Sequence, residues 1–116
     1  MNLTLNDLTI NTETRTLHQA GALINLPDLS FDVLVAILTA APSPVTTDKL
    51  THEVWRTQHV SDDTIAQRIK LVRKALGDDS KSPRYIRTVR GVGYSALGNV
   101  ERHREENHQP KNVLAK

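Results

Sequence analysis

The chain contains no cysteine. Disulfides, thiolate nucleophiles and cysteine-held metal centres are therefore excluded, in keeping with a reducing compartment. Its five histidines, His18, His52, His59, His103 and His108, form no close ligand set with carboxylates, so no metal is expected and they read as surface residues. Long apolar runs are also missing. The longest, around Val33–Ala41, falls far short of the roughly 20 residues a bilayer-spanning helix needs. Met1–Ile10 lacks the basic start and apolar core of a signal peptide, and the chain as given reads as soluble and cytoplasmic. Gly91-Val92-Gly93 is not followed by the third glycine and the helix of a dinucleotide loop. No serine stands in a nucleophile elbow. An enzyme, a cofactor and a small-molecule substrate are not expected, and no internal repeat is found.

What is present is a single domain's worth of chain, 116 residues, with its charge unevenly distributed. Residues 1–60 hold three basic and six acidic side chains, a net of −3, whereas residues 61–94 hold eight basic and four acidic ones, a net of +4. The overall +2 thus hides a basic segment beside an acidic one, the footprint of a polyanion-binding face or of a well-solvated helix.

Short β-compatible runs come first. Leu3 and Leu5, Leu8 and Ile10, Leu17, and Leu23, Ile24 and Leu26 are separated by polar turn residues, which predicts a small antiparallel meander. From Ser30 the period changes. Phe31, Leu34, Val35 and Leu38 lie at helical spacing, with Ser30 as N-cap and Pro42 and Pro44 as terminators. A short second helix opens at Thr47, with Asp48 in its first turn and Leu50 and Val54 turned inward.

A third helix carries the basic segment. Ser61 caps it, Asp62 and Asp63 complement its dipole, Ile65, Ile69, Val72 and Leu76 form the buried stripe, and Gly77 closes it. At about 100° per residue, Asp63, Gln67, Lys70 and Lys74 share the opposite side, flanked by Thr64, Arg68, Leu71 and Arg73. Then Tyr85–Val89 and Tyr94–Leu97 alternate around Arg90-Gly91-Val92-Gly93. This is a hairpin whose glycines permit a tight turn or a close backbone approach, with Tyr85 and Tyr94 read as core rather than as base-stacking platforms. Helix, helix, hairpin is the winged helix-turn-helix order. Residues 99–116 are polar and rich in alternating charge, so residues 1–98 are read as the domain and 99–116 as a flexible tail or linker.

The run from Val60 through Leu76, followed by Tyr85-Ile86-Arg87-Thr88-Val89-Arg90-Gly91-Val92-Gly93-Tyr94, closely resembles the effector domain of OmpR/PhoB-type bacterial transcription regulators. Leu26-Pro27, Phe31, Leu34, Leu50 and Val54-Trp55 fall where that family places its core markers, and the resemblance spans about residues 3–97. It implies an α+β fold with an N-terminal four-stranded antiparallel sheet, three helices and a C-terminal wing. It also implies sequence-specific binding of double-stranded DNA, with helix 61–77 in the major groove and the turn at 90–93 in the minor groove. Further implied partners are RNA polymerase and a second copy, as a homodimer or in tandem on repeated half-sites.

Carried over residue by residue, Thr64, Gln67, Lys70 and Arg73 match recognition-helix contacts, with Arg68 and Lys74 beside them. Thr88 and Arg90 match wing contacts, and Trp55 matches a helix end that meets the DNA backbone. The chain departs from the pattern at Asp63 and Leu71, where relatives often carry basic residues. An acid at a helix start has a structural reason of its own, while Asp63 can also accept from cytosine N4 and Leu71 can meet a thymine methyl. These two positions keep open a rival reading, a winged-helix protein-interaction module that has lost base reading. The domain starts at Met1, and Lys81-Ser82-Pro83-Arg84-Tyr85-Ile86 resembles ToxR/CadC-like regulators, whose DNA-binding domain comes first. That layout implies either a free-standing regulator or the cytoplasmic part of a membrane-anchored one.

Overall fold

The computed structural model of the chain describes residues 1–104. Four short strands open it: β1 (Asn2–Leu5), β2 (Leu8–Asn11), β3 (Thr16–Gln19) and β4 (Ala22–Ile24). They pair as an antiparallel meander in which Leu3 faces Ile10, Ile10 faces Leu17 and Leu17 faces Ile24. Because side chains alternate across a pleat, this register puts Leu3, Leu5, Leu8, Ile10 and Leu17 on one buried face.

The expected four-stranded sheet gains one member. Strand β8 (Val100–His103) returns to pair antiparallel with β1, from Asn2 opposite His103 to Leu5 opposite Val100. The order becomes β4-β3-β2-β1-β8. The boundary drawn at residue 98 is therefore too early. Polar composition concealed the strand because an edge strand needs only backbone pairing: Glu101, Arg102 and His103 stay exposed, and Val100 alone packs against the core. Arg102 adds a tether, its Nη2 donating to the carbonyls of Thr39 at 2.5 Å and Ala41 at 3.3 Å. The rest of the expected tail, 105–116, lies outside the described residues.

Helix α1 spans Asp28–Ala40 and begins earlier than the predicted Ser30 cap. Pro27 occupies the cap position, its carbonyl accepting from the Phe31 N–H at 2.9 Å. Arg15 fixes this first turn by pairing with Asp28 and Asp32 and lying 4.7 Å from the centre of the Phe31 ring. Ser30 is instead fully buried within the helix. Val33 and Ile37 are buried along with Phe31, Leu34 and Leu38, so α1 is enclosed on more than the one predicted stripe. Strand β5 (Val45–Thr46) leads into α2 (Thr47–Leu50), capped by Thr46 Oγ1 accepting from the Lys49 N–H at 3.0 Å. The chain continues in a wider π-type turn over Thr51–Trp55, which Arg56 ends in the left-handed region at φ 58°.

Helix α3 (Asp62–Leu76) then packs across α1, and the hairpin β6 (Ile86–Val89) and β7 (Gly93–Ala96) completes the fold, with β5 as its third strand in the order β5-β7-β6. Gly93 is fixed by this pairing. A Cβ there would lie 1.9 Å from the Val45 carbonyl oxygen, so the close backbone approach predicted for a wing glycine is to the protein's own strand.

Candidate nucleic-acid interface

Helix α3 is built as its sequence dictates. Ser61 Oγ accepts from the Thr64 N–H at 3.2 Å, Gly77 closes the helix at φ 68°, and Ile65, Ile69, Val72 and Leu76 are buried. That leaves Asp63, Thr64, Gln67, Lys70, Leu71 and Lys74 exposed on the outer side. The two flanking arginines differ from this group. Arg68 is half-buried, its Nη1 donating to Ser30 Oγ on α1 at 3.2 Å. Arg73 is also half-buried and reaches the wing, its Nη2 donating to the Ile86 carbonyl at 3.0 Å and to Thr88 Oγ1 at 3.3 Å. Of the expected site residues, then, Arg73 and Thr88 are in direct contact. Trp55 ends the π-type turn that follows α2, half-buried against the core.

In the wing, the Val92 N–H donates to the Val89 carbonyl at 2.9 Å, Gly91 supplies φ 75°, and Arg90 projects exposed from the turn. A groove runs between this turn and the start of α3, lined by Asp62, Asp63, Ala66, Thr88, Val92 and Tyr94.

Two supports of this arrangement escaped sequence reasoning. Asp78 follows the closing Gly77, and its carboxylate accepts from the backbone N–H groups of Asp79 and Arg84 at Oδ1 (2.9 and 2.6 Å) and of Tyr85 and Ile86 at Oδ2 (3.2 and 3.1 Å). It thereby aligns the root of β6 with the end of α3. Below it the buried Tyr85 hydroxyl donates to Asp7 Oδ1 at 2.5 Å and accepts from Gln19 Nε2 at 3.0 Å. Gln19 Nε2 also donates to the Leu76 carbonyl at 2.8 Å, so the N-terminal sheet holds both the helix end and the wing root. Burial, reinforced by the hydrogen bond to Asp7, pushes the Tyr85 phenol above its ordinary pKa and keeps it a neutral donor. The only local signal for Asp78 was an aspartate after a helix-closing glycine; Asp7 and Gln19 are too distant in sequence to have given one.

The electrostatics complete the site. Among the described residues, Lys70, Lys74, Lys81, Arg87 and Arg90 have no carboxylate partner. Nor do the described residues include any group of three or more histidines and carboxylates able to hold a metal, or any helix long and apolar enough to cross a membrane.

Residues 21–96 match the family model described as "Transcriptional regulatory protein, C terminal". The chain belongs to this family. It is 32% identical over 95 residues to the DNA-binding response regulator MtrA of Mycolicibacterium smegmatis, an alignment covering 81% of this chain and 42% of that protein. The chain thus spans under half the length of this relative. The Klebsiella pneumoniae RstA DNA-binding domain, solved in complex with the RstA box, superposes with a TM-score of 0.78 at 27% identity, covering 83% of this chain and 96% of that one. The DNA-binding domain of Escherichia coli CadC shares the fold, with a TM-score of 0.74 at 24% identity over 88% of this chain and 96% of that one. Family and fold thus agree with the OmpR/PhoB-type winged helix-turn-helix read from the sequence.

Proposed function

We propose that this domain is the sequence-specific, duplex-DNA-binding part of a bacterial transcription regulator, seating α3 in the major groove and the Arg90 turn in the adjacent minor groove. The observation that carries it is the set of cations on α3, the following loop and the wing that lack carboxylate partners among the described residues, beside an outer helix face bearing Thr64, Gln67 and Lys70. Lysines and arginines left unpaired suit phosphates; an exposed amide suits a base edge. The family match and the RstA likeness support the same reading.

A protein-docking role for α3 has less behind it, since Leu71 is the only large exposed hydrophobic on that helix among the described residues. Occupancy of repeated half-sites by two copies, recruitment of RNA polymerase and a cytoplasmic location belong to the same proposal. On a direct repeat, a mobility-shift titration would give two successive shifted species. The primary test is a salt titration on a duplex selected from a random pool. With about five phosphates neutralised, log affinity falls against log salt with a slope near −4 to −5. A flat titration, or no binding to any selected duplex at low salt, rejects the proposal in favour of a protein partner.

A further inference from the structure

Arg73 was expected to grip DNA, yet its contacts point elsewhere. Nη2 is engaged by the Ile86 carbonyl and Thr88 Oγ1, both on β6, and Nε is buried without a hydrogen-bond partner among the described residues. Among the described residues strand β6 is an edge strand, flanked by β7 alone, and on its open side the guanidinium stands in for a second neighbour. Both bonds leave one nitrogen, Nη2, whose two N–H groups lie in the guanidinium plane, so their directions are fixed relative to the helix that carries them, whereas an ammonium on a flexible stem rotates freely.

We infer that Arg73 is a positioning residue, clamping the wing to the recognition helix at the spacing that lets α3 and Arg90 reach neighbouring grooves together. This rests on the DNA-binding reading above. The alternative role, a direct phosphate contact, predicts a different response to lysine. A phosphate accepts either cation, so Arg73→Lys would bind normally. A clamp depends on the guanidinium geometry, so Arg73→Lys fails nearly as badly as Arg73→Ala.

The experiment compares wild type, Arg73→Lys and Arg73→Ala, each with and without Arg90→Ala, by affinity on the selected duplex at several salt concentrations and by hydroxyl-radical footprinting. Arg73→Lys is expected to weaken binding about tenfold near roughly 0.1 M salt, the loss of one phosphate contact at the wing. Minor-groove protection disappears while major-groove protection stays, and little further affinity is lost when Arg90→Ala is already present. Normal binding by Arg73→Lys, or losses at Arg73 and Arg90 that simply add, overturns the clamp. Should the Arg73 variants not fold, Thr88→Val removes one acceptor without touching the charge; it must loosen wing protection in the same direction, and unchanged wing protection sinks the idea. If wild type binds no duplex, the DNA reading has failed and the clamp is judged alone, by amide hydrogen exchange in β6 of the free protein. Faster exchange in Arg73→Lys supports it, and equal rates refute it.

Discussion

In residues 1–60 two of the three basic side chains are engaged by carboxylates, Arg15 by Asp28 and Asp32 and Lys49 by Glu53, and the third, Arg56, has no carboxylate partner among the described residues. In residues 61–94, Lys70, Lys74, Lys81, Arg87 and Arg90 are engaged by no carboxylate among the described residues. The same residue types therefore do two kinds of work. Where acidic residues outnumber basic ones, Arg15 and Lys49 each steady a helix turn; where the balance reverses, these five cations face solvent, at a cost in self-repulsion that a polyanion would relieve. In the basic segment, the two acids that follow α3 are taken up by the backbone. Asp78 is occupied by four backbone N–H groups, and Asp79 Oδ1 accepts from the Lys81 N–H at 2.9 Å.

The largest expected effect tests whether the two faces of α3 are separate. Ile69 is 1% exposed at the middle of the buried stripe, so Ile69→Ala should lower stability by about 2–5 kcal/mol through lost transfer energy and a cavity. Denaturant unfolding reads this directly. DNA affinity should fall only by the unfolded fraction; a variant as stable as wild type that binds poorly would mean that the inner and outer faces have been exchanged.

Next comes base reading within the exposed stripe. Gln67 is exposed there between Asp63 and Lys70, and its amide can present a donor and an acceptor to adenine. Gln67→Ala should lose about 1–3 kcal/mol on the selected site and much less on scrambled DNA. Equal losses on both duplexes would make Gln67 a packing or backbone-contact residue and shift the reading to its neighbours.

How far the sequence revealed these features follows from the range of the interactions involved. Ser61, Gly77 and the Ile65-Ile69-Val72-Leu76 stripe were legible because a helix is specified by neighbours three and four residues apart. Strand β8 was not, since its partner β1 lies about a hundred positions away and its exposed side chains carry no alternation. Ser30 was misread for a similar reason. A serine ahead of an apolar run is a good cap in isolation, but Pro27 and the distant Arg15 start the helix earlier. Within the candidate site, exposure on α3 followed from periodicity alone. The diversion of Arg68 to Ser30 and of Arg73 to β6 needed the packing of α3 against α1 and the wing.

The smallest effects put the comparison itself at risk. Arg15 and Lys70 are both surface cations, and removing either should change stability little: at most about 1 kcal/mol for Arg15→Ala, which loses exposed ion pairs and its place over Phe31, and within about 0.5 kcal/mol for Lys70→Ala, which loses no ion pair. Their effects on DNA should separate sharply. Lys70→Ala makes the salt slope shallower by about one, because one fewer counterion is released, whereas Arg15→Ala leaves the slope as it was. Measured side by side in one titration series, the pair needs no knowledge of the operator beyond a single duplex that binds. If Arg15→Ala alters the slope as much as Lys70→Ala does, the polyanion reaches the N-terminal half as well, and the division between paired and unpaired cations does not mark the binding face.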